Sequence, residues 1–110
     1  MAWLVRAEEV LAAVDVAKSR RERRVGLLGR EGISGGLVLR PCRAVHSLGM
    51  RFPLDIAFCD REGTVLATTR LPPWRLSRPH PRAAFVIEAE AGAFERWRLR
   101  AGDTVEVIEK

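Results

Sequence analysis

From Phe52 to Cys59 apolar and polar positions alternate, with Phe52, Leu54, Ile56 and Phe58 on one side and Pro53, Asp55, Ala57 and Cys59 on the other. That period of two predicts a strand with one buried face, and it turns Asp55 away from the main apolar row. Asp60-Arg61-Glu62-Gly63 should close a hairpin with a bulge, because Asp suits the first position of a turn and Gly the left-handed one. The returning strand begins at Thr64 and sets Val65, Ala67, Thr69 and Leu71 on one face.

Shorter patterns flank this hairpin. Trp3-Leu4-Val5 and Val10 to Ala17 read as two strands, the second with Val10, Ala12, Val14 and Val16 sharing a face. Ser19-Arg20-Arg21-Glu22 fits a capping box, in which the Ser hydroxyl and the Glu carboxylate each accept the other's amide, so a helix should start there. Val25 and Leu28 would form its apolar stripe, with Arg20, Arg23, Arg24 and Arg30 outward and Gly29 and Gly32 ending it. Such a short helix is weak alone, so packing on a sheet should hold it, and Gly26 suggests a close approach to another backbone. Gly35-Gly36 turns into a strand at Leu37-Val38-Leu39 that Pro41 ends or leaves on an edge.

Beyond the hairpin, Pro72 to Arg82 holds four of the chain's six prolines with Trp74, Arg75, Arg78 and His80. A loop of that length is usually functional or flexible. A strand over Ala83 to Ala89, a helix over Ala91 to Arg98 with Phe94 and Trp97 three apart, the Gly102-Asp103 turn and a strand over Thr104 to Ile108 complete the chain. The sum is one α+β domain over residues 1–110, mainly β: a small curled sheet or partial barrel with two short helices.

At 110 residues a single core can bury roughly two-thirds of the unfolded surface without a cofactor or a disulfide. The balance of 47% hydrophobic and 30% charged residues argues against disorder. No apolar run is long enough to span a bilayer, and acidic residues at Glu8 and Glu9 come too early for a secretory signal, so a cytoplasmic protein is expected. Cys42 and Cys59 are then expected as free thiols, and two Cys with two His at these spacings do not make a zinc site. The net charge is +5, and splitting the chain at Asp55 leaves 10 basic against 6 acidic residues in the first half and 9 against 8 in the second. Any basic patch therefore belongs to the first half.

Candidate chemistry gathers around the central strand. Cys42 and His46 could form an activated nucleophile, since an imidazole accepts a thiol's proton, but in extended chain they would stand roughly 10 Å or more apart, so a turn must lie between them. Asp55 is unusual in a strand, which points either to pairing with an Arg such as Arg51 or with turn amides, or to a base that orients His46. Ser47 lacks the Gly-x-Ser-x-Gly elbow of a hydrolase nucleophile. Arg24, Arg30, Arg51, Arg75 and Arg78 could surround an anion, because guanidinium forks match phosphate and carboxylate. Trp74 beside Arg75 either offers a stacking face or folds the Pro-rich loop onto the domain.

Arg24-x-Gly26-Leu27-Leu28-x-Arg30, then Cys42-x-x-Val45-His46-Ser47-x-Gly49-Met50-x-Phe52-Pro53-Leu54-Asp55-x-x-Phe58, then Asp60-x-x-Gly63-x-Val65, and Glu88-x-x-Ala91-Gly92 before Gly102-Asp103, together resemble the prokaryotic family catalogued as domain of unknown function 192. The resemblance implies a compact, mainly β domain and brings no activity, substrate or catalytic residue. Many members carry Trp before the Met of the central motif and an export leader. With Leu48-Gly49 at that place and no leader, this chain resembles the soluble branch that has Cys, His and Ser or Thr ahead of Met. The Gly102-Asp103 turn also looks like that of cradle-loop barrels, whose Asp caps neighbouring amides, and so favours barrel-like closure.

The expected function is a cytoplasmic binding module for an anionic small molecule or a partner protein's segment, with His46, Ser47, Asp55, Trp74 and Arg75 lining a cleft between the central stretch and the Trp74 loop. The alternative is a small hydrolase or thiol-dependent enzyme that uses Cys42 or His46 with Asp55. Nucleic-acid binding through Arg20, Arg21, Arg23 and Arg24 is the weakest of the three, because Glu22 interrupts the run and no aromatic platform accompanies it. No metal, cofactor or membrane contact is expected.

Overall fold

The computed structural model describes residues 2–26 and 35–110. Seven strands form one sheet in the order β5-β4-β6-β3-β2-β1-β7. They are β1 (Ala2–Arg6), β2 (Glu9–Ala17), β3 (Gly36–Leu39), β4 (Leu54–Cys59), β5 (Val65–Leu71), β6 (Phe85–Glu90) and β7 (Glu106–Glu109). Two short helices, α1 (Arg20–Val25) and α2 (Ala93–Trp97), complete the described elements. Every neighbouring pair is antiparallel except β2 and β3, which run parallel with Val14 opposite Gly36. Parallel neighbours need a crossover, and α1 lies on it.

β4 is an interior strand, between the edge strand β5 and β6, and is buried at all six positions. The expectation of a single buried face is thus corrected. Leu54, Ile56 and Phe58 enter one apolar cluster with Leu39, Met50, Phe52 and Val86, while Ala57 and Cys59 enter a second with Leu4, Val38, Ile87, Phe94 and Val105. Alternation was a sound guide to which side each residue takes, but both sides are covered.

The sheet curls without closing into a barrel, which corrects the barrel reading. β5 and β7 are its two edges, and they do not pair as strands. Their flanking turns do meet: Val65 N donates to Asp103 O (2.8 Å), Gly102 N to Val65 O (2.8 Å) and Val105 N to Gly63 O (2.9 Å). Gly63 has φ +88°, and a Cβ there would stand 2.0 Å from Val105 O, so only glycine permits this approach. Asp103 Oδ2 caps Arg100 N (3.0 Å) and takes Arg6 Nη1 (3.0 Å).

The capping box of α1 is complete, with Glu22 N donating to Ser19 Oγ (3.0 Å) and Ser19 N to Glu22 Oε1 (3.0 Å). The helix ends at Gly26, earlier than Gly29 or Gly32, because Gly26 takes φ +53°. No residue of α1 is buried, and Val25 is 41% exposed, so the expected apolar stripe does not hold it to the sheet at that position. Among the described residues, what lies nearest the missing Cβ of Gly26 is the Glu88 carboxyl, 3.5 Å away, followed by the helix's own Arg23 O at 3.9 Å. Leu27, Leu28, Gly29, Arg30 and Gly32 lie outside the described residues.

Candidate functional site

Two stretches of irregular chain, around His46 and around Leu76, run side by side as an antiparallel bridge. Ser47 N donates to Arg75 O (2.8 Å), Ser77 N to Val45 O (2.9 Å), Val45 N to Ser77 Oγ (2.9 Å) and His80 N to Arg43 O (2.8 Å). Ser47 is fully buried and anchors this ribbon. Its hydroxyl donates to Pro72 O (2.5 Å) and accepts from Arg75 N (3.0 Å), while its carbonyl accepts from Trp74 N (2.9 Å). The group is spent on shaping the Pro-rich loop, which is why that loop is ordered despite its length.

His46 ties the ribbon to α1. Leu48 N donates to Nδ1 (3.1 Å), so the proton sits on Nε2, which donates to Arg24 O (2.6 Å). Arg23 Nη1 adds a second tie by donating to Lys18 O and to Arg40 O (3.3 Å). Between helix and ribbon lies a hollow of about 630 Å³. Arg20, Arg23, Arg24 and Arg43 line it together with Cys42, His46 and Leu76. Among the described residues no carboxylate lines it, and the buried Glu88 carboxyl lies behind it, 3.5 Å from where a Cβ on Gly26 would stand. Among the described residues Arg20, Arg24 and Arg43 have no ion pair. A neighbouring hollow of about 650 Å³ shares Pro41, Cys42 and Arg43 and has Asp60 and Glu62 in its wall.

The structure separates the remaining candidates. Asp55 is buried on the other side of β4 from Leu54, where its Oδ2 accepts from Gly92 N (2.8 Å) and Phe94 N (3.1 Å) and its Oδ1 from Arg70 Nε (3.3 Å). It caps α2, whose own Gly92 offers no side chain for the purpose, and Arg70 rather than Arg51 is its basic partner. Among the described residues, the hollow that His46 lines does not include Asp55. Cys42 donates its thiol proton to Ala44 O (3.1 Å), and burial pushes the thiol's pKa up. With both imidazole nitrogens of His46 held by backbone groups, no Cys42–His46 hydrogen bond forms. Trp74 stands 65% exposed with φ +63°, so it does not fold its loop onto the domain. Arg51, Arg75 and Arg78 lie outside the hollow's wall, and Arg30 lies outside the described residues.

Two residues that the chain's pattern did not single out now matter. Arg43 completes the arginine set, and its only signal was its place beside Cys42. Glu88 sits in the middle of β6, 1% exposed, with Oε1 lacking any hydrogen-bond partner among the described residues. Burial raises its pKa to about 8. An acidic residue between Ile87 and Ala89 in an apolar strand was the visible clue. Cys59, also buried, is pushed up to about 12. Both cysteines are free thiols. Among the described residues no three His, Cys, Asp or Glu side chains gather as a metal site would require, and no helix is long and apolar enough to cross a membrane.

The mainly β fold with the central His46-to-Phe58 motif matches a family described as Uncharacterized ACR over residues 3–107. The chain belongs to the DUF192 family. Among its relatives, a UPF0127 protein of Pyrococcus abyssi is 38% identical over 58% of this chain and 55% of its own length. One from Pyrococcus horikoshii is 28% identical over 84% of each. The chain thus aligns with about half the length of the first relative. A crystal structure of a protein of unknown function from Novosphingobium aromaticivorans superposes with a TM-score of 0.81 at 20% identity, covering 96% of this chain and 82% of that one. A Sinorhizobium meliloti protein, named as a proposed transcription regulator, gives 0.79 at 22% identity over 96% and 91%. At those identities the two structures share the fold of this DUF192 chain, and nothing about their ligands carries over.

Proposed function

We propose that this DUF192 domain is a binding module for anions, seated in the hollow between α1 and the His46 ribbon. The observation that carries it is the convergence of Arg20, Arg23, Arg24 and Arg43 on one shallow hollow that no carboxylate lines among the described residues. Like charges gathered this way repel one another, and a phosphate or carboxylate that accepts paired N–H bonds from guanidinium forks relieves that repulsion. Two free thiols support a reducing, cytoplasmic setting.

Titration of the chain with inorganic phosphate, followed by backbone amide NMR shifts at low ionic strength, tests this directly. Shifts should concentrate at residues 20–25 and 42–46, and Arg24→Gln combined with Arg43→Gln should weaken binding at least tenfold. Binding should also fall as salt is added. Shifts scattered over the surface, or an affinity that the double variant leaves unchanged, would refute it.

A further inference from the structure

The hollow's surroundings specify more than a free anion requires. Leu76, paired with His46 across the bridge, forms part of the wall and is 71% exposed. Leu48, whose amide binds the His46 ring, is 42% exposed, and Trp74, whose amide binds Ser47 O, is 65% exposed. A tryptophan at φ +63° is sterically costly, and here the buried Ser47 enforces it through bonds to residues 72, 74 and 75. The outcome is an indole presented to solvent two residues before Leu76 of the hollow's wall.

Charge fixes the partner's chemistry. Between Pro41 and Pro53, and again between Pro72 and Ala84, there is no Asp or Glu, while Arg43, Arg51, Arg75, Arg78 and Arg82 all fall within these two stretches. A surface that is apolar at Trp74, Leu76 and Leu48 and basic around them complements a segment carrying both carboxylates and apolar side chains. A small free anion has no use for the three apolar groups. At about 630 Å³ the hollow is roughly 9 Å across, the span of two or three extended residues.

We propose that the physiological anion is the side-chain carboxylate of an acidic, partly apolar segment of a partner protein. Carboxylates enter the arginine hollow while neighbouring apolar side chains cover Leu76, Trp74 and Leu48. The inference rests on the anion-binding reading above and names its ligand class.

Fluorescence anisotropy of labelled peptides on the full chain tests it. One peptide alternates Asp or Glu with Leu and Phe, a second replaces Leu and Phe with Ser, and a third replaces the acids with Gln. The first should bind at least tenfold more tightly than either of the others and should shift the Trp74 emission to the blue. Trp74→Ser with Leu48→Ser should abolish the preference for the first peptide over the second while leaving phosphate binding as it was. Both substituted side chains are exposed, so the variant should fold. Equal affinity for the first two peptides alongside intact phosphate binding overturns the peptide proposal alone. Loss of neither ligand in the Arg24→Gln, Arg43→Gln variant overturns the anion-binding reading with it. Tighter binding to anionic-lipid vesicles or to an oligonucleotide than to the first peptide also overturns the peptide proposal.

Discussion

Glu88→Gln should make the domain more stable at neutral pH, and the gain should grow with pH. The wild-type carboxyl titrates near 8 in the folded chain because burial disfavours its charged form. In the unfolded chain it titrates at about 4.3. Between those values the folded state holds the extra proton, so stability falls as pH rises, by up to about 1.4 kcal/mol per pH unit. Below the lower value both states are protonated and the effect vanishes; above 8 both are ionised and the loss levels off. From pH 5 to pH 7.5 the accumulated cost is roughly 3 kcal/mol, a large share of the 5–15 kcal/mol that a domain usually has. It corresponds to about 12 °C in Tm at roughly 4 °C per kcal/mol. Urea unfolding of both proteins at pH 5, 6, 7 and 8 isolates Glu88, since every other titrating group is common to the two. The advantage of the Gln variant should be about 1 kcal/mol at pH 5 and grow by roughly 3–4 kcal/mol by pH 8. Parallel curves within about 0.5 kcal/mol would show that the Glu88 carboxyl is not desolvated as described.

Other perturbations separate structural from binding roles. Asp55→Ala leaves the amides of Gly92 and Phe94 without their acceptor, so it should cost roughly 2–4 kcal/mol in thermal or urea unfolding while phosphate affinity of the folded protein stays unchanged. An anion affinity that fell with stability intact would reverse that assignment. Ser47→Ala orphans Arg75 N and Pro72 O and should cost roughly 1–3 kcal/mol, with cleavage between residues 72 and 82 appearing under limited proteolysis. Iodoacetamide should modify Cys42 more slowly than a free thiol at pH 8, and Cys59 only once the chain unfolds, because burial raises both thiols. Rapid labelling of Cys42 in the native protein would restore it as a nucleophile candidate.

Local chemistry carried most of the fold. The hairpin at Asp60 to Gly63, the capping box at Ser19 and the side taken by each residue from Leu54 to Cys59 all follow from short-range rules, and each forms as those rules require. Barrel closure did not follow, because it depends on whether β5 and β7 come into register, and only their turns meet. Helix α1 stopped early since Gly26 takes a left-handed φ, which sequence permits but does not demand. At the site, Asp55 was conspicuous as an acid in a strand, yet its acceptor role depends on amides 37 and 39 residues further on. Arginines 20, 23, 24 and 43 were visible individually. Their convergence required the crossover to carry α1 over the His46 ribbon, a long-range event that no local pattern encodes.

Three of the four arginines that line the hollow ride on α1, a six-residue helix with no buried side chain. An isolated helix of that length has a negligible equilibrium population in water, so its docked form depends on the His46 and Arg23 ties. Measured affinity is the intrinsic affinity scaled by the docked fraction: seating α1 in one molecule in ten would weaken binding about tenfold. By reciprocity, a saturating anion must raise the docked fraction by the same free energy. Exchange protection of the α1 amides would therefore climb with ligand concentration, making this helix a gauge of occupancy.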